Sequence, residues 1–161
     1  MLLVGCGGRS GDERGGKGYD GIQFYLSIGA MTRVTTGGTS YSSEWEAGDK
    51  IGIYAVKAGT ALLVSGNHAD NVCLSFDGTD WSIDSPIYYP LDAKLDFYAY
   101  YPYDGALTSP LSINVTPKTD QSAQDDFDSS EFLSAVAMGQ EARSVQLSFT
   151  HAMALVEVRA E

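Results

Sequence analysis

Residues 94–102 read Lys-Leu-Asp-Phe-Tyr-Ala-Tyr-Tyr-Pro. Apolar side chains fall on every second position of this stretch, at Leu95, Phe97, Ala99 and Tyr101, which is the period of a β-strand with one buried face. Pro102 has no amide hydrogen to continue a ladder, so we expect the strand to end there. The segment therefore predicts a core strand of a β-rich domain.

The same alternation, or a short β-branched run, recurs along the chain. The predicted strands are 22–28, 50–56, 71–76, 80–83, a short edge at 88–90, 94–101, 111–115 and 145–149. Asp77-Gly78-Thr79 separates the third and fourth of these and predicts a hairpin, because glycine tolerates a positive φ. About seven to eight strands without βαβ alternation indicate an all-β, antiparallel β-sandwich.

Two segments near the end of the chain interrupt this pattern. Apolar residues occupy odd positions from Val145 to Phe149 and even positions from Ala152 to Val158, so a bulge or turn at 150–153 is expected to separate two strands. The acidic stretch before them predicts only minor helical turns, around Phe127, Phe132, Leu133 and Val136.

Composition limits the classes of function. With 161 residues, 43% of them hydrophobic, the chain can bury the core of one domain. It carries 21 acidic against 10 basic residues, a formal charge of −11, which would repel a phosphate backbone and argues against nucleic-acid binding. A continuous apolar run of about 20 residues, the length a membrane-spanning helix needs, is not found.

The two cysteines have different predicted roles. Cys73 lies in a predicted strand and is interpreted as a small core residue. Cys6 ends Leu3-Val4-Gly5-Cys6, which looks like a bacterial lipobox, and a glycine-rich segment suited to a flexible tether follows. The basic region and most of the apolar region of a signal peptide are missing, so we expect a start codon assigned too late, or a fragment.

Motifs for catalysis or cofactor binding are weak. Gly11, Gly16 and Lys17 have P-loop spacing, but Gly18 stands where the magnesium-binding Ser or Thr is needed. His68 and His151 cannot form an HExxH motif or a three-histidine zinc site, and His151 is interpreted as a partner for backbone groups at the predicted turn.

Acidic residues also fail to form a recognisable metal motif. Asp125, Asp126, Asp128 and Glu131 lack the spacing and the central glycine of an EF-hand. The sequence therefore predicts neither an enzyme nor a cofactor.

Three segments together resemble the fimbrillin family of Bacteroidales fimbrial lipoproteins. They are EWEAGDKIGIY at 44–54, LDFYAYYP at 95–102 and LSFTHAMALVEV at 147–158. The resemblance implies a transthyretin-like β-sandwich, with 1–18 as residual lipobox and tether and 19–161 as an N-terminal domain lacking its C-terminal partner domain. It also implies a lipoprotein of the outer membrane and the fimbrium, attached to lipid through Cys6.

The resemblance further implies donor-strand exchange, in which a trypsin-like protease removes an N-terminal strand and another subunit supplies its replacement. Arg33 follows the predicted strand 22–28 and is the candidate processing site. The implied partners are other fimbrial subunits and a host or bacterial surface ligand.

A carbohydrate-binding β-sandwich is the alternative function. Tyr98 and Tyr100 would stack on sugars if both rings faced solvent together, as possible exposed aromatic contacts. The other interpretation buries both rings against a second sheet or a neighbouring subunit.

Overall fold

The computed structural model describes residues 21–29, 44–120 and 130–152. Seven β-strands form in these ranges, which contain no helix and hence none that could cross a membrane. The strands are β1 (Gln23–Ile28), β2 (Lys50–Lys57), β3 (Ala69–Phe76), β4 (Trp81–Ile83), β5 (Leu95–Tyr101), β6 (Leu133–Gln140) and β7 (Ser144–His151). The prediction of an all-β fold is confirmed.

The strands are hydrogen-bonded in the order β1-β7-β6-β5-β2-β3-β4. Neighbours run antiparallel, as predicted, except that β1 runs parallel to β7. The sheet is therefore mixed. A parallel pair needs a long connection between its strands, and almost the whole domain lies between β1 and β7.

Strands β1 and β7 fold over the other five strands. β6 and β7 are joined by residues 141–143 and pair in antiparallel register at Leu133/His151 and Ser134/Thr150. The inward side chains of β7 join one core with those of β2 and β5. Across this core the ring of Phe24 meets that of Phe97 edge to face, with centroids 5.3 Å apart. The result is a β-sandwich in which the strands of one continuous order enclose a single core.

The predicted hairpin between β3 and β4 is confirmed. Gly78 has a φ of +100°, which a residue with a side chain rarely adopts. The Asp77 carboxylate accepts hydrogen bonds from the backbone amides of Thr79 and Asp80, both at 2.8 Å. The turn is thus held by its own first side chain.

Two predicted strands are absent, because residues 88–90 and 111–115 form irregular segments. Pro110 and Pro117 flank the second segment and cannot donate to a ladder, and its Ile113 packs on the outer face of the sheet instead. In the first segment, Tyr89 uses its hydroxyl to donate to the carbonyl of Ala142 and packs its ring against Phe97.

The predicted helical turns around Phe132, Leu133 and Val136 are wrong, because β6 occupies this part of the chain. Leu133, Ala135 and Ala137 face the core at period 2, and β5 supplies the hydrogen bonds. β7 ends at His151, within the predicted break at 150–153. Phe127, and residues 153–158 of the strand predicted after that break, lie outside the described residues.

Candidate functional site

Strand β1 lies at one end of the hydrogen-bonded order, and β7 is its one strand neighbour within the described residues. Its sequence alternates as predicted. Phe24, Leu26 and Ile28 are half-buried and pack against the core, whereas the residues between them are exposed. β1 therefore contributes apolar side chains to the core through a single ladder.

Hydrogen bonds at both ends of this ladder and on its exposed face hold β1 in register with β7. The amide of Gln23 donates to the carbonyl of Arg143 and that of Gly29 to the carbonyl of Phe149, both at 2.8 Å. On the exposed face, Gln146 Nε2 donates to Ser27 Oγ at 3.2 Å. The strand is attached along its whole length to β7 and its flanks.

The N-terminal end of β1 has a second attachment. Ile22 is buried, and its amide donates to the carbonyl of Ile87 at 2.9 Å. Gly21 permits this approach, because a Cβ there would lie 3.0 Å from both Ile87 O and Pro86 Cβ. This end is therefore fixed to the loop after β4 as well as to β7.

An open groove of about 640 Å³ lies beside β1. Strand β4, at the opposite end of the sheet order, contributes to the far wall, so two strand edges border the same space. The apolar lining residues are Ile22, Phe24, Tyr25, Leu26, Trp45, Leu74, Phe76, Trp81 and Ile83. The sheet closes on itself apart from this gap.

Trp45 closes one end of the groove. Its ring makes edge-to-face contacts with Trp81, Tyr101 and Phe149, at centroid distances of 5.1, 5.6 and 5.3 Å. Its Nε1 is buried without a hydrogen-bond partner among the described residues, so ring packing holds the indole. Sequence reasoning assigned no role to Trp45 or Trp81; the only signal was a tryptophan directly before the Glu-Ala-Gly-Asp turn.

The aromatic residues of β5 do not form an exposed platform. Tyr100 is 3% exposed, stacks on Tyr54 with centroids 6.4 Å apart, and donates its hydroxyl hydrogen to Asn71 Oδ1 at 2.8 Å. The prediction of Tyr100 as an exposed contact is therefore wrong, because the ring lies over Gly52 and under the chain near Asp104. Tyr98 is half-buried, so the two rings do not face solvent together.

Tyr54 makes stability sensitive to alkaline pH. Burial, with smaller contributions from Tyr100 and Asp70, raises its pKa from 10.0 to about 12. The unfolded phenol ionises first, so the contribution of Tyr54 to the free energy of unfolding is expected to be fully present well below pH 10 and to be lost as the pH rises from 10 toward 12. Urea titrations across this window should show a smaller fall for Tyr54→Phe than for wild type. Equal falls would contradict the assignment to Tyr54.

Several other predicted residues can be placed. Cys73 is buried in β3, which confirms it as a core residue. His68 Nε2 lies 2.7 Å from the carbonyl of Tyr88. His151 lies at the end of β7, and its Nδ1 is 3.3 Å from the Glu131 carboxylate, so one of its contacts is with a side chain.

Cys6 and Arg33 lie outside the described residues, as do Asp125, Asp126 and Asp128. Their predicted roles remain predictions. Among the residues that the structure does describe, no group of three or more His, Cys, Asp or Glu side chains could hold a metal ion.

These features define an all-β sandwich domain with an incompletely paired sheet and an aromatic groove beside its first strand. The chain matches the family described as “Fimbrillin-like” over residues 32–161. It belongs to the fimbrillin-like family, which confirms the resemblance seen in the sequence.

Two curated relatives carry fimbrial names. The “Putative fimbrium tip subunit Fim1C” of Bacteroides ovatus is 31% identical over 180 residues, covering 99% of this chain and 33% of the relative. The “Putative fimbrium subunit Fim1C” of Bacteroides uniformis is 29% identical over 126 residues, covering 75% of this chain and 40% of the relative. The chain thus spans between a third and two fifths of their length.

Two crystal structures from Bacteroides ovatus share the fold. A fimbrial protein is similar with a TM-score of 0.58 and 26% identity, covering 83% of this chain and 28% of that one. A putative cell adhesion protein has the same TM-score at 23% identity, covering 84% and 53%. The names of these relatives are those of fimbrial or adhesion proteins, not of enzymes.

Proposed function

We propose that this chain is a non-enzymatic subunit of a cell-surface fimbrium that assembles by strand exchange, with β1 as the strand that is displaced. The observation that carries the proposal is the position of β1. It is an edge strand with one strand neighbour, it supplies apolar side chains to the core, and an open groove lies at its other edge. The fimbrial names of the relatives support the same class.

Loss of β1 would create a binding site for a strand of similar pattern. It would uncover the ring of Phe97, which Phe24 contacts, and leave the hydrogen-bonding edge of β7 without a partner. A donor strand from another subunit could pair with β7 through its main chain and place apolar residues on alternate positions toward the core. Main-chain bonds would supply affinity, and side-chain fit would supply selectivity.

Residues at the start of the chain complete the proposal. Cys6 would carry the lipid that holds the precursor at the outer membrane, with the glycine-rich stretch after it as a tether. Cleavage after Arg33, which follows β1, would separate the strand from the rest of the domain. The proposed partners are other fimbrial subunits and, for an adhesive member, a surface ligand. The burial of Tyr100 removes the support for the alternative carbohydrate site.

Limited trypsin digestion of the folded protein tests this mechanism. We expect rapid cleavage of the Arg33–Val34 bond, followed by release of a fragment that contains β1 and ends at Arg33, measured by mass spectrometry and size exclusion. A fluorescent peptide with the sequence of residues 21–29 should then bind to the cleaved domain. Arg33→Ala is the matched control and should neither release the fragment nor take up the peptide.

Two results would count against the mechanism. One is resistance of the bond after Arg33 while other bonds are cut. The other is release of the fragment with no uptake of the peptide, which would show that the vacated edge of β7 does not accept a strand.

A further inference from the structure

A second cavity lies on the face of the sheet opposite the core. Strand alternation directs Tyr54, Tyr98 and Val136 outward from β2, β5 and β6. With Leu62, Tyr100 and Ile113 they line an open cavity of about 340 Å³. None of its lining residues also lines the groove beside β1, so the two surfaces are separate.

The chemistry of this cavity is apolar with a few hydroxyl groups. No charged side chain is among the described residues that line it. The Tyr100 hydroxyl is bonded to Asn71 and Asp104, whereas that of Tyr54 makes no hydrogen bond within the described part of the chain, although Tyr54 is 3% exposed. A cavity of this size, mainly apolar and with few polar groups, has the composition of a binding pocket.

Exposed apolar residues continue the cavity onto the surrounding surface. Val136 is 57% exposed, and Met138 follows on the same face of β6. Leu63 and Leu111, both more than half exposed, are adjacent in sequence to lining residues. A small ligand inside the cavity would leave these side chains exposed, whereas a protein surface would cover them. Exposed apolar patches on soluble proteins commonly mark such contacts.

The charge near the cavity indicates which protein surface fits. The amide of Asp104 donates to the Tyr100 hydroxyl at 3.2 Å, and Asp70 follows Ala69, which pairs with Ala55 of β2. Both acidic residues thus lie beside the cavity, and both add to the rise in the pKa of Tyr54 that burial and Tyr100 cause. The chain as a whole has a formal charge of −11, so a second copy would bring like charge to this acidic margin. A surface with basic residues beside its apolar contact would meet opposite charge.

We propose that this outer cavity binds an apolar anchor side chain of a different protein, presented between basic residues. The anchor would fill the cavity over the cross-strand pair Tyr98 and Val136, and the exposed apolar residues around it would exclude water from the contact. The basic flanks would face the margin that carries Asp70 and Asp104. This contact is independent of strand exchange at β1.

Blocked tripeptides are suitable probes, because they carry the anchor and its flanks without other features. Acetyl-Lys-Trp-Lys-amide should bind saturably in an NMR titration, shifting the amide signals of Tyr98 and Val136. Acetyl-Glu-Trp-Glu-amide should bind about tenfold more weakly, and acetyl-Lys-Ala-Lys-amide should not saturate. Val136→Arg should also weaken binding of the Lys-Trp-Lys peptide about tenfold, while Leu91→Arg, an equally charged change at an exposed residue outside the cavity lining, should leave it unchanged.

Three results would overturn the proposal. The first is the absence of saturation, or saturation with shifts near Trp81 in place of Tyr98. The second is equal binding by Val136→Arg and wild type. The third is a preference for another occupant, seen as tighter binding of laurate, or as self-association in sedimentation that Val136→Arg abolishes.

Discussion

Replacing Gly52 with alanine is expected to lower the free energy of unfolding by about 3 kcal/mol or more. Gly52 lies in β2 directly opposite Tyr100 of β5. An added Cβ would lie 2.2 Å from Tyr100 Cε1 and 2.7 Å from Asn71 Oδ1. The ring would have to move, and it would lose its stack on Tyr54 and the hydrogen bonds of its hydroxyl with Asn71 and Asp104.

Urea or thermal unfolding measures this change, and the chain offers a matched control. Gly105→Ala would bring a Cβ no closer than 3.5 Å to Tyr103, an ordinary contact, so we expect less than about 0.5 kcal/mol. In a Tyr100→Ala background, Gly52→Ala should cost much less, because its two closest contacts, with the Tyr100 ring, are gone and Asn71 no longer bonds the Tyr100 hydroxyl. A full cost in that background would show that the clash with Tyr100 is not the cause.

The second large effect is expected for Asp96→Ala, at about 3 kcal/mol of lost stability. Asp96 is 2% exposed on the outer face of β5. Its Oδ2 accepts from the amide of Gly59 at 2.9 Å and its Oδ1 from the amide of Gly139 at 2.5 Å. One carboxylate thus joins the turn after β2 to the end of β6, and its removal would leave both amides without this acceptor.

Asp96→Asn and Asp92→Ala separate the possible causes. The asparagine variant keeps one acceptor oxygen and is expected to lose an intermediate amount of stability, and Asp92→Ala removes the same charge from an exposed position with little effect. Hydrogen exchange should show faster exchange at Gly59 and Gly139 in Asp96→Ala. Unchanged exchange at both glycines would contradict the role of Asp96 as their acceptor.

Strands with a complete local pattern could be predicted from the sequence. β5 and β7 alternate between apolar and polar residues, and β2 is a β-branched run entered through Gly48 and Asp49. The β3–β4 hairpin carries its own turn residues, because Asp77 and Gly78 satisfy the turn without help from the rest of the chain. In these elements local and long-range preferences agree.

The failures occur where distant parts of the chain decide the structure. Leu111, Ile113 and Val115 alternate like a strand, yet prolines flank them and Ile113 packs against side chains of β5 and β6. The residues before β6 are acidic and show little apolar periodicity, yet β6 pairs with β5 along most of its length. The parallel direction of β1 also depends on where β7 lies, which no local signal encodes.

The candidate site was predictable only in part. The alternation of β1 identified a strand with one apolar face, and the family resemblance suggested that it could be exchanged. The groove could not be predicted, because Trp45 and Trp81 are 36 residues apart in sequence and meet only when the sheet curls. The burial of Tyr100 likewise depends on the absence of a side chain at Gly52.

The edge position of β1 also bears on misassembly. Its six residues, QFYLSI, carry no charge, no proline and no glycine, and combine aromatic and branched side chains. Such hexapeptides stack readily into cross-β fibrils when they are unpaired. While β7 holds the segment, one of its edges is occupied; a free copy has neither edge covered. A cell that removed this strand would therefore produce an amyloid-prone peptide for every subunit processed, and would need to degrade it as quickly as it is released.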